Sequence, residues 1–232
     1  MASHIRIFLG FDQREAAAYH VCCQSILDTA SVPVSFHPLN ADQRDGTNAF
    51  TFARYLVPYM CDYTGWALFL DGDMIVETDI AQLWSYKHSQ YDKALCVVKH
   101  NYQTKHPRKY IGSSMENDNV DYPRKNWSSV MLWNCSHFAN RVLNPESIAE
   151  STAAYLHRLQ WLKDEQIGEL GPEWNRLVGE THESGHLLHY TLGVPGLKHY
   201  AEGPKSFRWH RKLIRALECA GEDPVEMVKR AV

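Results

Sequence analysis

The sequence predicts an α/β fold in which a mixed, mostly parallel central sheet is flanked by helices. Residues 5–9 form an apolar run that passes through Gly10 into residues 13–30, where apolar residues have helical spacing. This strand, glycine-containing turn and helix are typical of the start of a nucleotide-binding α/β unit. Residues 66–70 and 94–98 are apolar without alternation, as expected for strands buried on both faces of a parallel or mixed sheet.

Local patterns predict the remaining elements in chain order. Further strands or extended stretches are expected at 32–39, 128–134, 174–179 and 187–190. Helices are expected at 51–61, at 79–86, at 145–162 as one helix or two, and in a tail at about 203–232. The first of these has Phe52, Leu56 and Met60 on one stripe, and Pro58 should kink it or begin a new turn. Residues 40–48 form a polar loop, and residues 99–126 a long aromatic and basic loop that we expect to bind an acceptor.

The composition is that of one globular domain spanning residues 1–232. Of the 232 residues 44% are hydrophobic and 22% charged, and the formal net charge of −3 argues against a general attraction to nucleic acid. No stretch approaches the roughly 18 apolar residues of a transmembrane helix, and the N-terminus lacks a signal-peptide pattern. Six cysteines without a CxxC pair indicate reduced thiols in a cytoplasmic protein and argue against a zinc site.

Asp71 and Asp73 are the residues around which the chain is organised. They follow the apolar strand at 66–70 in the order Asp71-Gly72-Asp73, and three apolar residues come next. Buried carboxylates are costly unless they are paired or bind a cation, and open α/β sheets bind ligands at the carboxyl ends of their strands. Oxygen ligands at this spacing suit Mg²⁺ or Mn²⁺ carrying a diphosphate. The alternative is a hairpin turn at Asp71-Gly72, against which the lack of polar–apolar alternation counts.

Several other polar residues have both a functional and a structural interpretation. Asp12 and Phe11 follow the first strand and could bond a ribose and stack on a base, but Asp12 is also placed to cap the helix. Arg54 lies off the apolar stripe of its helix, where a solvated arginine is the usual outcome. Ser128 and Ser129 are small residues at the start of a strand, which permit close approach of a ligand.

In this order the motifs resemble those of the retaining glycosyltransferases of family eight and their bacterial and viral relatives. The resemblance covers about residues 5–200 and implies a single GT-A (Rossmann-like) domain with a helical C-terminal tail. The landmarks are Gly10-Phe11-Asp12, Phe52-Ala-Arg54-Tyr55-Leu56, Asp71-Gly72-Asp73, Asn126-Trp-Ser128-Ser129-Val130, Trp161-Leu-Lys-Asp164-Glu165-Gln166-Ile167 and His189-Tyr190-Thr-Leu-Gly193.

This resemblance implies a role for each landmark. The implied nucleotide-sugar-binding residues are Gly10, Phe11, Asp12, Arg54, Gly72, Ser128, Ser129 and Gly193. The implied ligands of Mn²⁺ or Mg²⁺ are Asp71, Asp73 and His189, and the implied catalytic residues are Arg54, Asp164 and Glu165. From the residues alone, His189 follows two leucines and is equally a core histidine. The chain departs from the family pattern in two segments. The segment in which the family has a diphosphate-binding lysine has a different sequence here and contains Lys198. The order Asp164-Glu165-Gln166 also differs from the commoner order of the family.

The expected activity is metal-dependent transfer of a hexose from a nucleoside-diphosphate sugar, with a uridine diphosphate hexose as the donor. The acceptor is a hydroxyl of a glycan or another molecule, and the resemblance implies retention of the anomeric configuration. One alternative is a sugar nucleotidyltransferase, for which residues 10–14 are a poor phosphate loop. The other is a non-catalytic, metal-dependent carbohydrate-binding protein, which leaves Arg54 unexplained.

The tail carries a cluster of basic residues around an aromatic one. Its members lie within eleven positions and are Lys205, Arg208, Trp209, His210, Arg211, Lys212 and Arg215. Such a cluster suggests weak contact with a membrane surface or an anionic acceptor. The alternative, which we favour from the sequence, is a solvated helix face.

Overall fold

The structure is a computed structural model that describes residues 4–40, 48–181 and 184–219. The strands are β1 (Ile5–Gly10), β2 (Val34–Leu39), β3 (Trp66–Leu70), β4 (Met74–Val76), β5 (Leu95–Val97), β6 (Arg108–Lys109), β7 (Asn117–Asp118), β8 (Val130–Asn134), β9 (Ile167–Glu169), β10 (Arg176–Leu177) and β11 (Leu187–His189). The α-helices are α1 (Ala16–Leu27), α2 (Val57–Met60), α3 (Ile80–Ser89), α4 (Pro145–Glu150), α5 (Ala153–His157) and α6 (Ser206–Cys219). Most of the loop predicted at 40–48, and the end of the predicted tail, lie outside the described residues.

The main sheet is mixed and mostly parallel, as predicted. Its six strands have the order β2-β1-β3-β8-β5-β9, and of these β8 runs antiparallel to its neighbours β3 and β5. β1 pairs in parallel with both β2 and β3, and β5 pairs in parallel with β9. A three-stranded sheet, β10-β11-β4, lies beyond the carboxyl end of β3. The carboxyl ends of β1 and β3 therefore share one edge of the main sheet, next to this smaller sheet.

The core lies on both faces of the main sheet, which explains why β3 is apolar throughout. Side chains alternate between the two faces of a strand. Ala67 and Phe69 belong to the hydrophobic cluster on one face, and Leu68 and Leu70 belong to the cluster on the other. All four are fully buried. This double burial fixes β3 firmly and leaves the polar residues that follow it at a rigid position.

The Asp71-Gly72-Asp73 segment is not a hairpin turn, because β3 and β4 belong to different sheets. β3 pairs with β1 and β8, whereas β4 pairs with β11. The Asp71 N–H donates to the Ser129 carbonyl at 3.0 Å, and the Tyr190 N–H donates to the Asp73 carbonyl at 3.0 Å. The segment therefore passes from one sheet to the other and is held by hydrogen bonds on both sides.

The helix predicted at 51–61 is instead a 3₁₀ turn, Ala53–Leu56, followed by the short helix α2, which has Pro58 in its first turn. The predicted stripe is wrong at Met60, which is 50% exposed, whereas Arg54 is only 6% exposed. A 3₁₀ turn has about 3.0 residues per turn, compared with about 3.6 in an α-helix. The angular positions therefore shift, and Arg54 faces the interior.

The basic tail segment forms α6, and several of its side chains dock the helix onto the domain. Trp209 is 1% exposed and packs in a cluster with residues of α1, β4 and β11. Lys212 Nζ lies 2.7 Å from Asp28 Oδ2, and Arg208 forms an ion pair with Glu77. These cations therefore have acidic partners within the domain, Trp209 is buried rather than solvated, and contact of this helix with a membrane surface stays a prediction.

Five cysteines are free thiols, as predicted: Cys22, Cys23, Cys61, Cys96 and Cys135. Within the described ranges, no helix is both long and apolar enough to cross a membrane.

Gly72 is expected to be essential for the crossing between the two sheets. A Cβ atom at this position would lie 2.3 Å from the Gly10 carbonyl oxygen, so Gly72→Ala requires the backbone to move. We expect a loss of roughly 2–3 kcal/mol in the free energy of unfolding, measured by urea denaturation. Gly112→Ala is the control, because a Cβ atom there meets nothing within 4 Å. Its expected loss in the free energy of unfolding, about 1 kcal/mol, comes only from the left-handed backbone with φ of +76°. Equal losses in the two variants would contradict this account.

Candidate active site

A cavity of about 510 Å³ opens where β3 ends, at the edge that the main sheet shares with the smaller sheet. Asp71 and Asp73 line this cavity together with Arg54 and His189. These residues come from three separate parts of the chain. The location is the one where open α/β sheets bind ligands.

Asp71, Asp73 and His189 form a group that could hold a metal ion, because one ligand atom from each lies within 4.8 Å of the others. His189 Nε2 is 3.2 Å from Asp73 Oδ1 and 3.8 Å from Asp71 Oδ2. The antiparallel pairing of β11 with β4, with His189 opposite Met74, produces this closeness. The three side chains are at most 9% exposed as residues.

The imidazole of His189 is oriented by Asn175, which is 1% exposed. The Asn175 amide nitrogen donates to the Asn126 carbonyl at 3.2 Å, so its Oδ1 is left to accept from His189 Nδ1 at 3.0 Å. With its Nδ1–H directed to Asn175, the ring turns Nε2 toward the two carboxylates, where a neutral imidazole could ligate a cation. A histidine that ligates a metal is commonly fixed in this way by an outer hydrogen bond.

The charges of the buried Asp71, Asp73 and His189 side chains favour a cation between them. Burial raises the pKa of Asp71 to about 6, with a further contribution from Asp73. Burial also works to raise the pKa of Asp73 and to lower that of His189, but the attraction between these two residues outweighs it and reverses both shifts. The Oδ1 atoms of Asp71 and Asp73 are buried and make no hydrogen bond with a described residue, although Arg54 Nη1 lies 2.9 Å from Asp71 Oδ1. Two buried carboxylate oxygens without hydrogen bonds, beside an imidazole nitrogen, fit a divalent cation.

Arg54 is buried and lines the cavity, so the alternative of a solvated arginine is wrong. Its Nη1 donates to the Ser128 carbonyl at 2.7 Å and lies 2.9 Å from Asp71 Oδ1. The guanidinium carbon lies 5.2 Å from the centroid of the Phe50 ring and 4.9 Å from that of Phe69. These contacts hold a permanent positive charge next to Asp71.

Ser128 and Ser129 line the cavity, as predicted for residues under a donor sugar. Both are buried, and the carbonyl groups of Ser128 and Ser129 accept from Arg54 and from the Asp71 N–H, respectively. The two serines thus help to position the charged groups. Whether their side chains contact a sugar stays a prediction.

The predicted glycines occupy different surroundings. A Cβ on Gly10 would lie 2.5 Å from the Phe50 ring, so this position needs a glycine for close packing beside the site. Gly193 has φ of +145° and packs against Tyr200. It lines a second cavity of about 480 Å³ and is not among the described residues that line the first.

Asp12 has the structural role that the sequence left open. It accepts from the Arg14 N–H at 2.9 Å, from the Arg14 guanidinium and from the Ala49 N–H at 3.1 Å, and it caps the 3₁₀ turn Gln13–Glu15. Burial works to raise the pKa of Asp12, but these hydrogen bonds outweigh it and lower the pKa. Phe11 packs edge-on against Tyr19 at 5.3 Å. Neither Phe11 nor Asp12 is among the described residues lining the first cavity.

Asp164 and Glu165 lie away from the cavity, and no contact in the structure supports the catalytic role that the resemblance implies for them. They lie in an exposed 3₁₀ turn, Asp164–Gln166, just before the edge strand β9. The Asp164 side chain is 86% exposed and pairs with Arg124 at 2.5 Å. The turn directs both carboxylates to solvent, and neither is among the described residues that line the cavity.

Three residues in or next to the cavity were not identified from the sequence. Lys109 and His157 line the cavity, and Asn175 orients His189. Lys109 lies in the predicted basic loop, but nothing in the pattern distinguishes it from its neighbours. Asn175 belongs to an extended stretch without a motif. Only the folded arrangement brings these residues together.

Comparisons with known proteins identify the family and the fold. The profile of glycosyl transferase family 8 matches residues 6–145. "Protein CDI" of Arabidopsis thaliana is 38% identical over 209 residues, which cover 82% of this chain and 78% of that protein. The glycosyltransferase GlyE of Streptococcus pneumoniae TIGR4 has a similar structure, with a TM-score of 0.60 and 14% identity over 91% of this chain and 60% of that one.

A second solved structure is similar over nearly its whole length. It is the galactosyltransferase LgtC in complex with donor and acceptor sugar analogs, with a TM-score of 0.57, 14% identity, and coverage of 90% of this chain and 95% of that one. At such identities the similarity concerns the fold alone. It confirms the prediction of the GT-A fold.

Asn175→Ala is expected to weaken Mn²⁺ binding roughly 10- to 100-fold, because it removes the hydrogen bond that fixes the His189 ring. The measurement is isothermal titration of the metal-free protein with Mn²⁺. Asn140→Ala is a matched control, since Asn140 is 0% exposed and also bonds buried carbonyl groups but is not among the described cavity residues. Unchanged Mn²⁺ affinity in Asn175→Ala, or an equal loss in Asn140→Ala, would refute the orienting role.

Proposed function

The chain belongs to glycosyl transferase family 8, and we propose that it transfers a hexose from a uridine diphosphate sugar to a hydroxyl acceptor with the help of Mn²⁺ or Mg²⁺. The observation that carries the proposal is the convergence of Asp71, Asp73 and His189 within 4.8 Å in one cavity beside Arg54. The family profile covers residues 6–145, and the similarity to the Arabidopsis protein extends over 82% of the chain.

The proposed ligands of the cation are Asp71, Asp73 and His189. When bound there, a divalent cation would act as a Lewis acid that stabilises the charge of the departing diphosphate. The chain's own charges favour this arrangement. Asp71 and Asp73 carry two negative charges and Arg54 and Lys109 two positive ones, so a divalent cation would leave the site with two positive charges, complementary to the two negative charges of a sugar diphosphate.

Lys109 is the residue that we propose for direct contact with the diphosphate. It lines the cavity, its ammonium lies 5.3 Å from the centroid of the Tyr110 ring, and no carboxylate of a described residue lies within 4.0 Å. Burial lowers the pKa of Lys109, although Asp73 and Asp71 act in the opposite direction. Lys198, the position suggested by the family pattern, is exposed on a 3₁₀ turn and is not a described cavity residue.

We further propose that transfer proceeds with retention by front-face displacement. Apart from Asp71 and Asp73, the described residues lining the cavity include no carboxylate, so the site offers no nucleophile for a covalent intermediate. The acceptor oxygen would form the bond to the anomeric carbon as the bond from that carbon to the phosphate oxygen breaks. The acceptor proton would pass to the departing phosphate oxygen. The mechanism therefore needs no catalytic base from the protein.

The reaction is tested with a panel of nucleotide sugars and Mn²⁺, scored by release of the nucleoside diphosphate. We expect turnover of at least one uridine diphosphate hexose, and NMR of the product should show the anomeric configuration of the donor. Asp73→Asn should reduce turnover at least about 100-fold because a metal ligand loses its charge. Asp164→Asn should retain turnover, since the Asp164 side chain is 86% exposed. An inverted product, or loss of turnover in Asp164→Asn, would contradict the mechanism.

Lys109→Met is expected to weaken binding of uridine diphosphate roughly 10- to 100-fold in the presence of Mn²⁺, because a charge-assisted hydrogen bond is lost. Titration calorimetry gives the affinity, and circular dichroism checks the fold. Lys198→Met is the control and should bind as the unaltered protein does. If Lys198→Met shows the loss and Lys109→Met does not, the assignment of Lys109 is wrong.

A further inference from the structure

His157, the last residue of α5, lines the cavity but lies outside the segment matched by the family profile. It is connected to the charged group through Ser128. The Ser128 carbonyl accepts from Arg54 Nη1 at 2.7 Å, and the Ser128 hydroxyl lies 3.0 Å from His157 Nδ1. Arg54 Nη1 in turn lies 2.9 Å from Asp71 Oδ1. Only Ser128 therefore separates His157 from Arg54, which belongs to the charged group beside the proposed diphosphate site.

The inner nitrogen of His157 contacts two hydroxyl groups. Nδ1 lies 2.9 Å from the Tyr55 hydroxyl and 3.0 Å from the Ser128 hydroxyl. Tyr55 is fully buried and its ring packs edge-on against His157 at 5.8 Å. Each hydroxyl carries one hydrogen that needs an acceptor. A bare Nδ1 accepts the hydrogen of one hydroxyl, and the oxygen of that hydroxyl accepts the hydrogen of the other, since Tyr55 and Ser128 are also hydrogen-bonded to each other. A protonated Nδ1 would place a third hydrogen among the three atoms and leave one of the three without an acceptor in this group.

The outer nitrogen of His157 must then carry the proton. Nε2 has no hydrogen-bond partner among the described residues and is not one of their buried orphaned atoms, so it is open to the cavity that the ring lines. Burial lowers the pKa of His157 to about 3, with contributions from the cations of Arg54 and Lys109. The ring is thus neutral at physiological pH, and Nε2–H is a single, fixed hydrogen-bond donor.

We infer that His157 recognises the transferred hexose, by donating its Nε2–H to a hydroxyl or ring oxygen of that sugar. This inference rests on the proposed function. A neutral single donor suits a sugar oxygen, whereas the charged Arg54 and Lys109 suit phosphate oxygens. Because the sugar is attached to the diphosphate, it must lie next to the diphosphate subsite, which is where Ser128 places the ring.

Two variants separate the inner and outer contacts of the ring. In His157→Asn the amide oxygen can replace Nδ1 as the acceptor for Tyr55 and Ser128, but the outer donor is removed. In His157→Gln the longer amide can place an N–H near the position of Nε2, and the inner acceptor is lost. Calorimetric affinities for uridine diphosphate and for a uridine diphosphate hexose, with Mn²⁺ present, are compared in the full chain.

We expect His157→Asn to bind uridine diphosphate like the unaltered protein and the nucleotide sugar roughly three- to tenfold more weakly. His157→Gln should retain more of the sugar-dependent affinity than His157→Asn does. Unchanged nucleotide-sugar affinity in His157→Asn, or a change confined to the affinity for an acceptor, would overturn the inference alone. If the unaltered protein binds no uridine diphosphate hexose, the proposed function and the inference both fail.

The tautomer provides a test that needs no substrate. Long-range ¹⁵N–¹H NMR of the full chain should show a protonated Nε2 and a bare Nδ1 for His157 near neutral pH, with assignment from the His157→Gln spectrum. A protonated Nδ1 would overturn the inference, even if the nucleotide sugar is bound.

Discussion

The structure of the site depends on the burial of two carboxylates beside a buried imidazole. Such a group is unfavourable unless positive charge compensates it. Arg54 supplies part of that charge to Asp71 at 2.9 Å, and Asn175 holds the His189 ring through a contact of 3.0 Å with Nδ1. A divalent cation would supply further positive charge at the carboxylate oxygens themselves. The same constraint that makes the burial of this group costly therefore favours a metal ion beside it.

The fold serves this constraint by fixing each member on a different rigid element. The doubly buried strand β3 positions Asp71, and the crossing to β4 positions Asp73, with Gly72 packed against the Gly10 carbonyl. The register of β11 against β4 brings His189 opposite Met74. The 3₁₀ turn before α2 turns Arg54 inward.

Much of this arrangement could be predicted from local sequence, but the parts that depend on tertiary contacts could not. The unbroken apolar run before Asp71 predicted a buried strand with a site at its end, and the mixed sheet followed from similar runs. The helical period alone left Arg54 off the apolar stripe, because the backbone there is 3₁₀, and only the resemblance implied a place for Arg54 in the site. Asp164 and Glu165 were assigned by resemblance, and their motif does not encode the turn that exposes them. Lys109, Asn175 and His157 have roles only through residues far away in the chain.

The central claim is that Asp71, Asp73 and His189 together hold a divalent cation that carries the donor diphosphate. The most direct test is a crystal structure of the protein with Mn²⁺ and uridine diphosphate, with anomalous diffraction recorded at the manganese edge. The account predicts an anomalous peak within bonding distance of Asp71, Asp73 and His189 Nε2, with the diphosphate bridging it to Lys109. Bound nucleotide without a manganese peak at these three residues would contradict it.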